Sequence, residues 1–434
     1  MFRIGCAEQV LEVPLFAELY GYGPFVGRRN IGVEDPLRCR IIVFDDGREQ
    51  AVIVYTDTCT TCDRLAREVR AELAEKYDLR PDGIAFTATH THSAPILSTT
   101  GGSIGAGEPC PEFIRYWRRT VVELAGRALA DREEIASADA GEALLRVKLG
   151  KNRVTRELNN TDPLIRFVRF RRPDGSVKLF IHNHAMHGIA ANGPLYRFVS
   201  SDWMGCVNDL LQEEKLCDTP LYLQGPAGNI NTATSCQSAE NTCEHRNIAR
   251  SYLDSLKAGL ASARELPLGP VKAVLRTAEF PCVPQTAAEL REDAARFRTM
   301  GNPYWDGKGS ELEEMALLMD RGRQFRVFHD LQYFRIGEMG IFFIPGELYL
   351  EPGLELYDRA RAPVPLLSTV SNGDGDYYFT AESAARFPDV LSRGKALFGY
   401  YEIYGYMGKH RLKYRTDIAR FVVDNMLGLE GECR

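Results

Sequence analysis

The residues best suited to chemistry in this sequence are its histidines, because five of the eight fall into two short clusters. The first cluster holds His90 and His92, and the second holds His182, His184 and His187. Neutral imidazole is a good ligand for zinc, iron, nickel and copper. The two clusters therefore predict a metal centre, most simply a zinc site.

Strand periodicity limits which of these side chains can point together. Alternate residues of a strand share a face, so His90 and His92 emerge on one side of a strand predicted over residues 83–92, near its carboxyl end. His182 and His184 share a face of a second strand, whereas His187 lies beyond its end. Spacing alone leaves the ligand of the second cluster open. Catalytic zinc usually has three protein ligands, so a further group must join the histidines.

The elements that must position these side chains follow an α/β pattern. We predict mixed β-sheets flanked by helices in a single domain over residues 1–434, with a charged helical insertion at about 286–326. An Asp-Asp-Gly turn at 45–47 predicts a hairpin between two apolar strands. The strands are predicted at 40–44, 51–56, 83–92, 177–183 and 220–224, and the helices at 64–77, 112–129 and 207–214.

Composition excludes several classes of protein. The formal charge of −6 and the absence of a long basic run argue against nucleic acid as a partner. No apolar run is long enough to span a membrane, and Glu8 and Glu12 interrupt any export signal. The eleven cysteines are odd in number and are expected to be reduced. We expect a cytoplasmic protein that acts on a small molecule, and the sequence leaves a homo-oligomer open.

An ordered series of short motifs resembles the neutral (non-lysosomal) ceramidases and their bacterial relatives. The strongest is THTHSAP at residues 89–95. The others lie at 4–7, 21–23, 35–37, 152–153, 186–188, 201–205, 335–337, 344–347, 371–372 and 377. The resemblance covers most of the chain and implies the fold of the ceramidase catalytic domain.

The resemblance also implies a set of site residues. In those ceramidases two histidines, a glutamate and a tyrosine hold zinc, and the matching positions here are His90, His187, Glu347 and Tyr377. His92 then becomes a catalytic acid or base, or a residue that supports a ligand. Arg153 matches an arginine that faces the active site, where it would clamp a carboxylate, stabilise an oxyanion or form a structural ion pair.

Two more residues are candidates to support the ligands. We take Asp57 and Asp202 as carboxylates that accept from imidazole N–H groups, or as helix N-caps.

The sequence departs from the ceramidase pattern at the nucleophile. Those enzymes carry a serine in a Gly-Asp-x-Ser-Pro-Asn loop, and Asn231 takes its place in the stretch QGPAGNIN at 224–231. An amide is not an adequate nucleophile, although it can donate a hydrogen bond to an oxyanion. We also expect no C-terminal immunoglobulin-like domain of the kind that those ceramidases have. We therefore expect a branch that lacks the serine nucleophile and does not act on ceramide.

Four hypotheses about function remain, and the last of them is a non-catalytic binding protein that has retained the fold. The first is a zinc-dependent hydrolase that uses an activated water on an amide, ester or lactone bond of a small polar substrate, with His92, Arg153 and Asn231 as catalytic residues. The second is a metal-dependent lyase or isomerase acting on a sugar or hydroxy acid. The third is a thiol redox protein, suggested by the C-x-x-C pair Cys59 and Cys62.

Overall fold

The computed structural model describes most of the chain. The described residues are 1–21, 26–98, 107–155, 159–193, 195–234, 244–299, 303–373, 375–386 and 412–433. Their strands are β1 (Arg3–Val10), β2 (Arg38–Asp45), β3 (Gln50–Thr56), β4 (Ile84–Ala88), β5 (Glu133–Glu134), β6 (Ser137–Leu144), β7 (Gly150–Asn152), β8 (Leu164–Arg171), β9 (Val177–His184), β10 (Thr219–Gln224), β11 (Ile230–Thr232), β12 (Arg264–Leu266), β13 (Val271–Phe280), β14 (Val327–Ile336), β15 (Met339–Phe343), β16 (Glu347–Leu348), β17 (Val364–Ser368) and β18 (Tyr377–Tyr378). Their α-helices are α1 (Asp63–Tyr77), α2 (Pro111–Ala130), α3 (Asp202–Glu213), α4 (Glu244–Gly259), α5 (Ala287–Arg298), α6 (Pro303–Asp320), α7 (Leu350–Arg359), α8 (Ala381–Arg386) and α9 (Ile418–Glu432).

Within this part of the chain the strands form three larger sheets and two short pairs. The first sheet has the order β4-β3-β2-β1-β5, the second β10-β9-β8-β6-β12 and the third β13-β14-β15-β17. Each of the three sheets contains one parallel pair, namely β3–β4, β9–β10 and β15–β17. The predicted fold class, mixed sheets flanked by helices, is confirmed.

The first sheet is buried on both faces, as the continuous apolar runs of its central strands require. Ile41, Val43 and their neighbours face the core that contains the apolar stripes of α1 and α2. Ile42, Phe44 and the residues beside them face a larger core shared with the second sheet, α3 and α4. The predicted hairpin is present, since β2 and β3 pair antiparallel and Gly47 supplies the positive φ of the turn.

The third sheet has its own core against α7 and α9, built around large side chains such as Tyr333 and Phe342. The segment predicted as a helical insertion contains α5 and α6. A capping box at Thr286 begins α5, because its hydroxyl accepts from the Glu289 N–H while the Glu289 carboxylate accepts from the Thr286 N–H. No helix among the described residues combines the length and the apolar character needed to cross a membrane.

Candidate metal centre

The ends of several parallel strands meet at one place. The Thr369 N–H after β17 donates to the Gln224 carbonyl that ends β10, at 2.7 Å. The Thr87 hydroxyl of β4 lies 2.7 Å from the Ser368 hydroxyl of β17. The Asn183 amide of β9 donates to the Leu367 carbonyl at 2.8 Å. The segments that leave the carboxyl ends of these strands are therefore brought together, which is where α/β sheets place their ligands.

His90 lies two residues after β4. Its φ of 68° is left-handed, so the strand ends at Ala88 and the prediction of a strand through residue 92 was too long. The buried imidazole has its Nδ1 atom 2.9 Å from the Cys59 carbonyl oxygen. Because a carbonyl only accepts, Nδ1 carries a proton, and in the neutral ring Nε2 is left with the lone pair.

His187 is held in the same way from the opposite side. Its Nδ1 atom lies 2.7 Å from the Ala227 carbonyl oxygen. The backbone N–H of His187 donates to the Ile230 carbonyl at 3.0 Å. Gly188 permits this approach, since a Cβ atom there would lie 2.6 Å from the His90 carbonyl oxygen. The Nε2 atom of His187 therefore also presents a lone pair.

Glu347 faces both of these nitrogen atoms. It begins β16 after Gly346, whose φ of 78° forms the turn that follows β15. One carboxylate oxygen, Oε2, lies 2.9 Å from the Nε2 of His187, and the other, Oε1, lies 3.5 Å from the Nε2 of His90. The sequence-predicted residues His90, His187 and Glu347 are thus brought together, with one donor atom of each within 4.8 Å of the others.

The chemistry of these donors fits a cation. Both Nε2 atoms and Oε2 of Glu347 are buried and make no hydrogen bond. Lone pairs of two imidazoles that face a carboxylate repel each other unless a positive charge lies among them, and buried polar atoms without partners are costly. A single proton can bridge the Glu347 carboxylate to only one of the two imidazoles, whereas a divalent metal ion can bind His90, His187 and Glu347 at once. Two nitrogen ligands and one carboxylate are also a common catalytic zinc set.

The pKa values favour deprotonated ligands at two of the three positions. Burial is the main reason that the pKa of His187 is lowered to about 4, and the charge of Arg153 lowers it further. Burial would raise the pKa of Glu347, but the two histidines outweigh it and hold that pKa well below its usual value. Burial likewise lowers the pKa of His90, but Cys59 and the Glu347 carboxylate raise it well above the usual value. A metal ion would compete with the proton that His90 binds at Nε2.

Tyr377 and Arg153 lie beside the carboxylate. Tyr377 is the register partner of Glu347 in the parallel pair β16–β18, so the two side chains lie on the same face. The guanidinium carbon of Arg153 is 5.3 Å from the centre of the Tyr377 ring, and its Nη2 atom is 3.9 Å from Oε2 of Glu347. Arg153 also donates to the Gly228 carbonyl at 2.5 Å, so part of its function is to hold the loop after β10.

His92 is close to the two histidines but outside the three converging donors. Its ring centre lies 5.0 Å from that of His90 and 5.9 Å from that of His187. The backbone fixes it, since its N–H donates to the Gly188 carbonyl at 3.1 Å and its carbonyl accepts from Arg28 at 2.7 Å. The ring is buried against Tyr20, at 5.3 Å between ring centres.

The loop before Asn231, which lies in β11, has a largely structural function. The N–H groups of Gly225, Gly228 and Ile230 donate to carbonyls of the protein, so these three are engaged and do not form an oxyanion hole. The Asn229 amide bonds Glu351 and the Leu350 N–H, which ties the loop to the start of α7. Asn231 is half-buried, and its Oδ1 atom is buried without a hydrogen-bond partner.

Two expectations about supporting carboxylates were wrong. Asp57 accepts from the Arg38 N–H and the Tyr55 hydroxyl, and burial, its largest influence, raises its pKa to about 6. Asp202 accepts from the N–H groups of Ala190 and Ala191, and it lies inside α3 after the N-cap Ser201. Backbone carbonyls, not carboxylates, orient the two imidazoles. Sequence reasoning missed them because a backbone carbonyl has no signature in the residue type.

The other histidines of the second cluster are structural. The Nδ1 of His182 lies 3.1 Å from the Tyr252 hydroxyl and its Nε2 lies 3.0 Å from the Asn208 amide oxygen. The Nδ1 of His184 lies 2.9 Å from the Leu164 carbonyl oxygen.

Of the cysteines that the sequence suggests as functional, Cys59 and Cys62 lie within the described residues. Cys59 and Cys62 are both buried, and the Sγ atom of Cys59 lies 3.4 Å from Nδ1 of His90. The thiol of Cys59 thus supports the candidate metal centre from the side of Nδ1. The spacing of Cys236 and Cys243 before His245 also suggests a small metal site, and the aromatic stretch at 398–406 suggests a pocket lining, a core or a subunit interface. Both cysteines and this stretch lie outside the described residues.

Comparison with known proteins supports the fold. No protein-family model matches the sequence. The chain is similar to the crystal structure of neutral ceramidase from Pseudomonas aeruginosa, with a TM-score of 0.73 and 16% identity over 99% of this chain and 74% of that one. A second structure, described as ceramidase complexed with C2, gives a TM-score of 0.71 at the same identity and coverage. The fold that the motifs implied is therefore confirmed.

Proposed function

We propose that this chain, which has the fold of neutral ceramidase, is a zinc-dependent hydrolase that cleaves an amide, ester or lactone bond of a small polar substrate. The observation that carries the proposal is the convergence of His90, His187 and Glu347 with their lone pairs facing one another. Each imidazole is turned towards this point by a hydrogen bond from Nδ1 to a carbonyl. That arrangement is costly in a merely structural cluster and is what metal binding requires.

In this proposal His90, His187 and Glu347 hold the metal and Tyr377 joins them from the neighbouring strand. When bound, zinc supplies Lewis acidity, which polarises a carbonyl group and lowers the pKa of a water in contact with it. The protein contributes a fixed donor geometry. The carbonyls of Cys59 and Ala227 set the tautomers of the two histidines before any metal arrives.

His92 is the proposed proton carrier. Its ring lies beside both histidine ligands, yet its atoms are not among the three converging donors. Its backbone bonds to Gly188 and Arg28 keep the ring in place while a proton moves. We assign it the transfer of a proton from the attacking water to the leaving group.

Asn231 and Arg153 are the proposed groups for the developing negative charge. Asn231 stands where the ceramidase pattern has its serine. Its unpartnered atom, Oδ1, is an acceptor, so the hydrogen bond to a substrate oxygen would come from its side-chain NH2 group. Such an amide can bind a substrate oxygen but cannot form an acyl intermediate, so direct attack by water is the reaction that suits the site. Arg153 adds a positive charge beside Glu347 and Tyr377.

The test is a metal-dependence experiment on a panel of short N-acyl amines, esters and lactones in oxygen-labelled water. We expect hydrolysis with solvent oxygen in the product, loss of activity after chelation and recovery with zinc. His187→Gln should lose both bound metal and activity, whereas the matched control His184→Gln should keep the metal. Full activity of the metal-free protein would overturn the proposal. Solvent hydrogen at a carbon of a sugar or hydroxy acid, without solvent oxygen, would favour the lyase or isomerase instead.

A further inference from the structure

A second group of buried metal-binding side chains lies outside the candidate metal centre. Asp35 precedes β2, Cys206 lies in α3 and His245 lies in the first turn of α4. All three are buried, and one donor atom of each lies within 4.8 Å of the other two. The group shares no residue with His90, His187 and Glu347, so it would be an independent site.

The Asp35 carboxylate is positioned by its neighbours. Its Oδ1 atom accepts from the Nη2 of Arg246 at 2.7 Å, and its Oδ2 atom accepts from the Ser200 hydroxyl at 2.5 Å. The same Oδ2 lies 2.8 Å from Nε2 of His245. The charge of Arg246 is also shared with Glu34, whose Oε1 lies 3.6 Å away. The charge of Arg246 is therefore balanced by Glu34 as well as by Asp35. The Oδ2 atom of Asp35 is directed towards the imidazole of His245.

Cys206 adds a soft ligand to this pair. It is a free cysteine on the same helix that Asp202 begins, and its side chain is buried. Burial is the largest influence on the thiol and raises its pKa to about 11, although His245 acts in the opposite direction. Thiolates, imidazoles and carboxylates are the side chains that most often bind zinc in proteins.

We infer that Asp35, Cys206 and His245 form a second, structural site for a zinc-type divalent cation. Binding exchanges protons in a balanced way. The Cys206 thiol releases its proton to solvent, and the proton of His245 moves from Nε2 to Nδ1 so that Nε2 can bind the ion. The bound charges then sum to neutrality, since the dication meets one carboxylate and one thiolate.

The proposed site would brace the segment that carries His187. The Ser200 hydroxyl that bonds Asp35 also accepts from the Asp202 N–H at 3.0 Å. The Asp202 carboxylate in turn accepts from the Ala191 N–H at 2.8 Å, four residues after His187. A cation on Asp35 would therefore stabilise the local structure beside the candidate metal centre without taking part in its chemistry.

The experiment is metal analysis of the full chain together with cobalt substitution. We expect two metal equivalents per chain and, with cobalt, a thiolate-to-metal charge-transfer band in the near ultraviolet. The proposed ligands of the other centre include no cysteine, so this band reports the second site alone. Cys206→Ser should lose the band and one equivalent, whereas His187→Ala should lose one equivalent and keep the band.

Cys59→Ser is the matched control, because Cys59 is the buried thiol beside His90. We expect this variant to keep the band. A cobalt spectrum without a thiolate band would overturn the inference, and this result does not depend on a variant that folds. One equivalent that shows the band would keep the second site and argue against the other centre. A band that survives Cys206→Ser and disappears in Cys59→Ser would place the thiolate at the other centre and would overturn it as well.

Discussion

The pH dependence of stability tests whether His182 of the second histidine cluster is a structural residue, in contrast to the proposed metal ligand His187. His182 is fully buried and makes two hydrogen bonds as a neutral ring, because Asn208 uses its amide nitrogen on Tyr55 and offers only its oxygen to Nε2. Burial is the main reason that the pKa of His182 is lowered from 6.5 to about 4. We predict that His182→Gln removes a specific part of the acid sensitivity of the fold.

The sign and size follow from proton linkage. A lowered pKa means that the unfolded chain binds a proton more readily, so stability is lost as the pH falls from about 6.5 through about 4. The difference of about 2.5 units corresponds to about 3 kcal/mol when complete. About 2 kcal/mol of this is expected between pH 7 and pH 5.

The assay is urea unfolding of wild type and His182→Gln at both pH values, with chelator present so that metal release does not contribute. The variant should be less stable near neutral pH, because the buried bonds to Tyr252 and Asn208 are weakened. Other titrating groups are common to both proteins, so the difference between them should shrink by about 2 kcal/mol at the lower pH. A difference that stays constant would refute the assignment of His182 as a buried neutral histidine.

Three further predictions test the site and its support. Glu347→Gln should lose most of the rise in melting temperature that added zinc gives the wild type, and an undiminished rise would argue against Glu347 as a ligand. Asn231→Ala should lower kcat by about 100-fold with little change in melting temperature, as for other lost oxyanion donors, and unchanged kcat would remove Asn231 from the reaction. Asn372→Ala should destabilise the fold by about 3 kcal/mol in urea unfolding, because its amide bonds the Phe86 N–H, Arg70 and Gln332; a loss below about 1 kcal/mol would contradict this.

Hydrophobic patterning was sufficient for the elements with long apolar runs. The hairpin of β2 and β3 and the helices α1 and α5 lie where the pattern predicts them, whereas α6 begins at Pro303, inside the stretch 301–309 that the pattern leaves out of a helix. Local alternation failed at the first histidine cluster, where the pattern continues through residue 92 but the backbone turns at His90. A left-handed residue at that position is fixed by contacts with Cys59 and Gly188, which are distant in sequence, and so it leaves no periodic signal.

The choice among the second-cluster histidines shows the same limit. His182, His184 and His187 are equivalent as residue types, and spacing could not rank them. Their functions differ because Tyr252 and Asn208 surround the first, whereas Glu347 faces the last. These partners come from helices and strands far along the chain. Only the family resemblance selected His187 and Glu347 from the sequence, and their assignment as metal ligands stays a prediction.

The origin of the three donors determines how metal binding and folding are coupled. His90 follows a strand of the first sheet, His187 a strand of the second and Glu347 a strand of the third. No single sheet can bring two of them together, so the donors converge only when all three sheets have packed. A ligand that binds the folded state alone adds about 2.7 kcal/mol of stability at 100 times its dissociation constant. In this protein the bound metal would stabilise the contacts between the sheets rather than any one sheet. A variant that loosens these contacts, such as Asn372→Ala, should therefore weaken metal binding even though it removes no ligand.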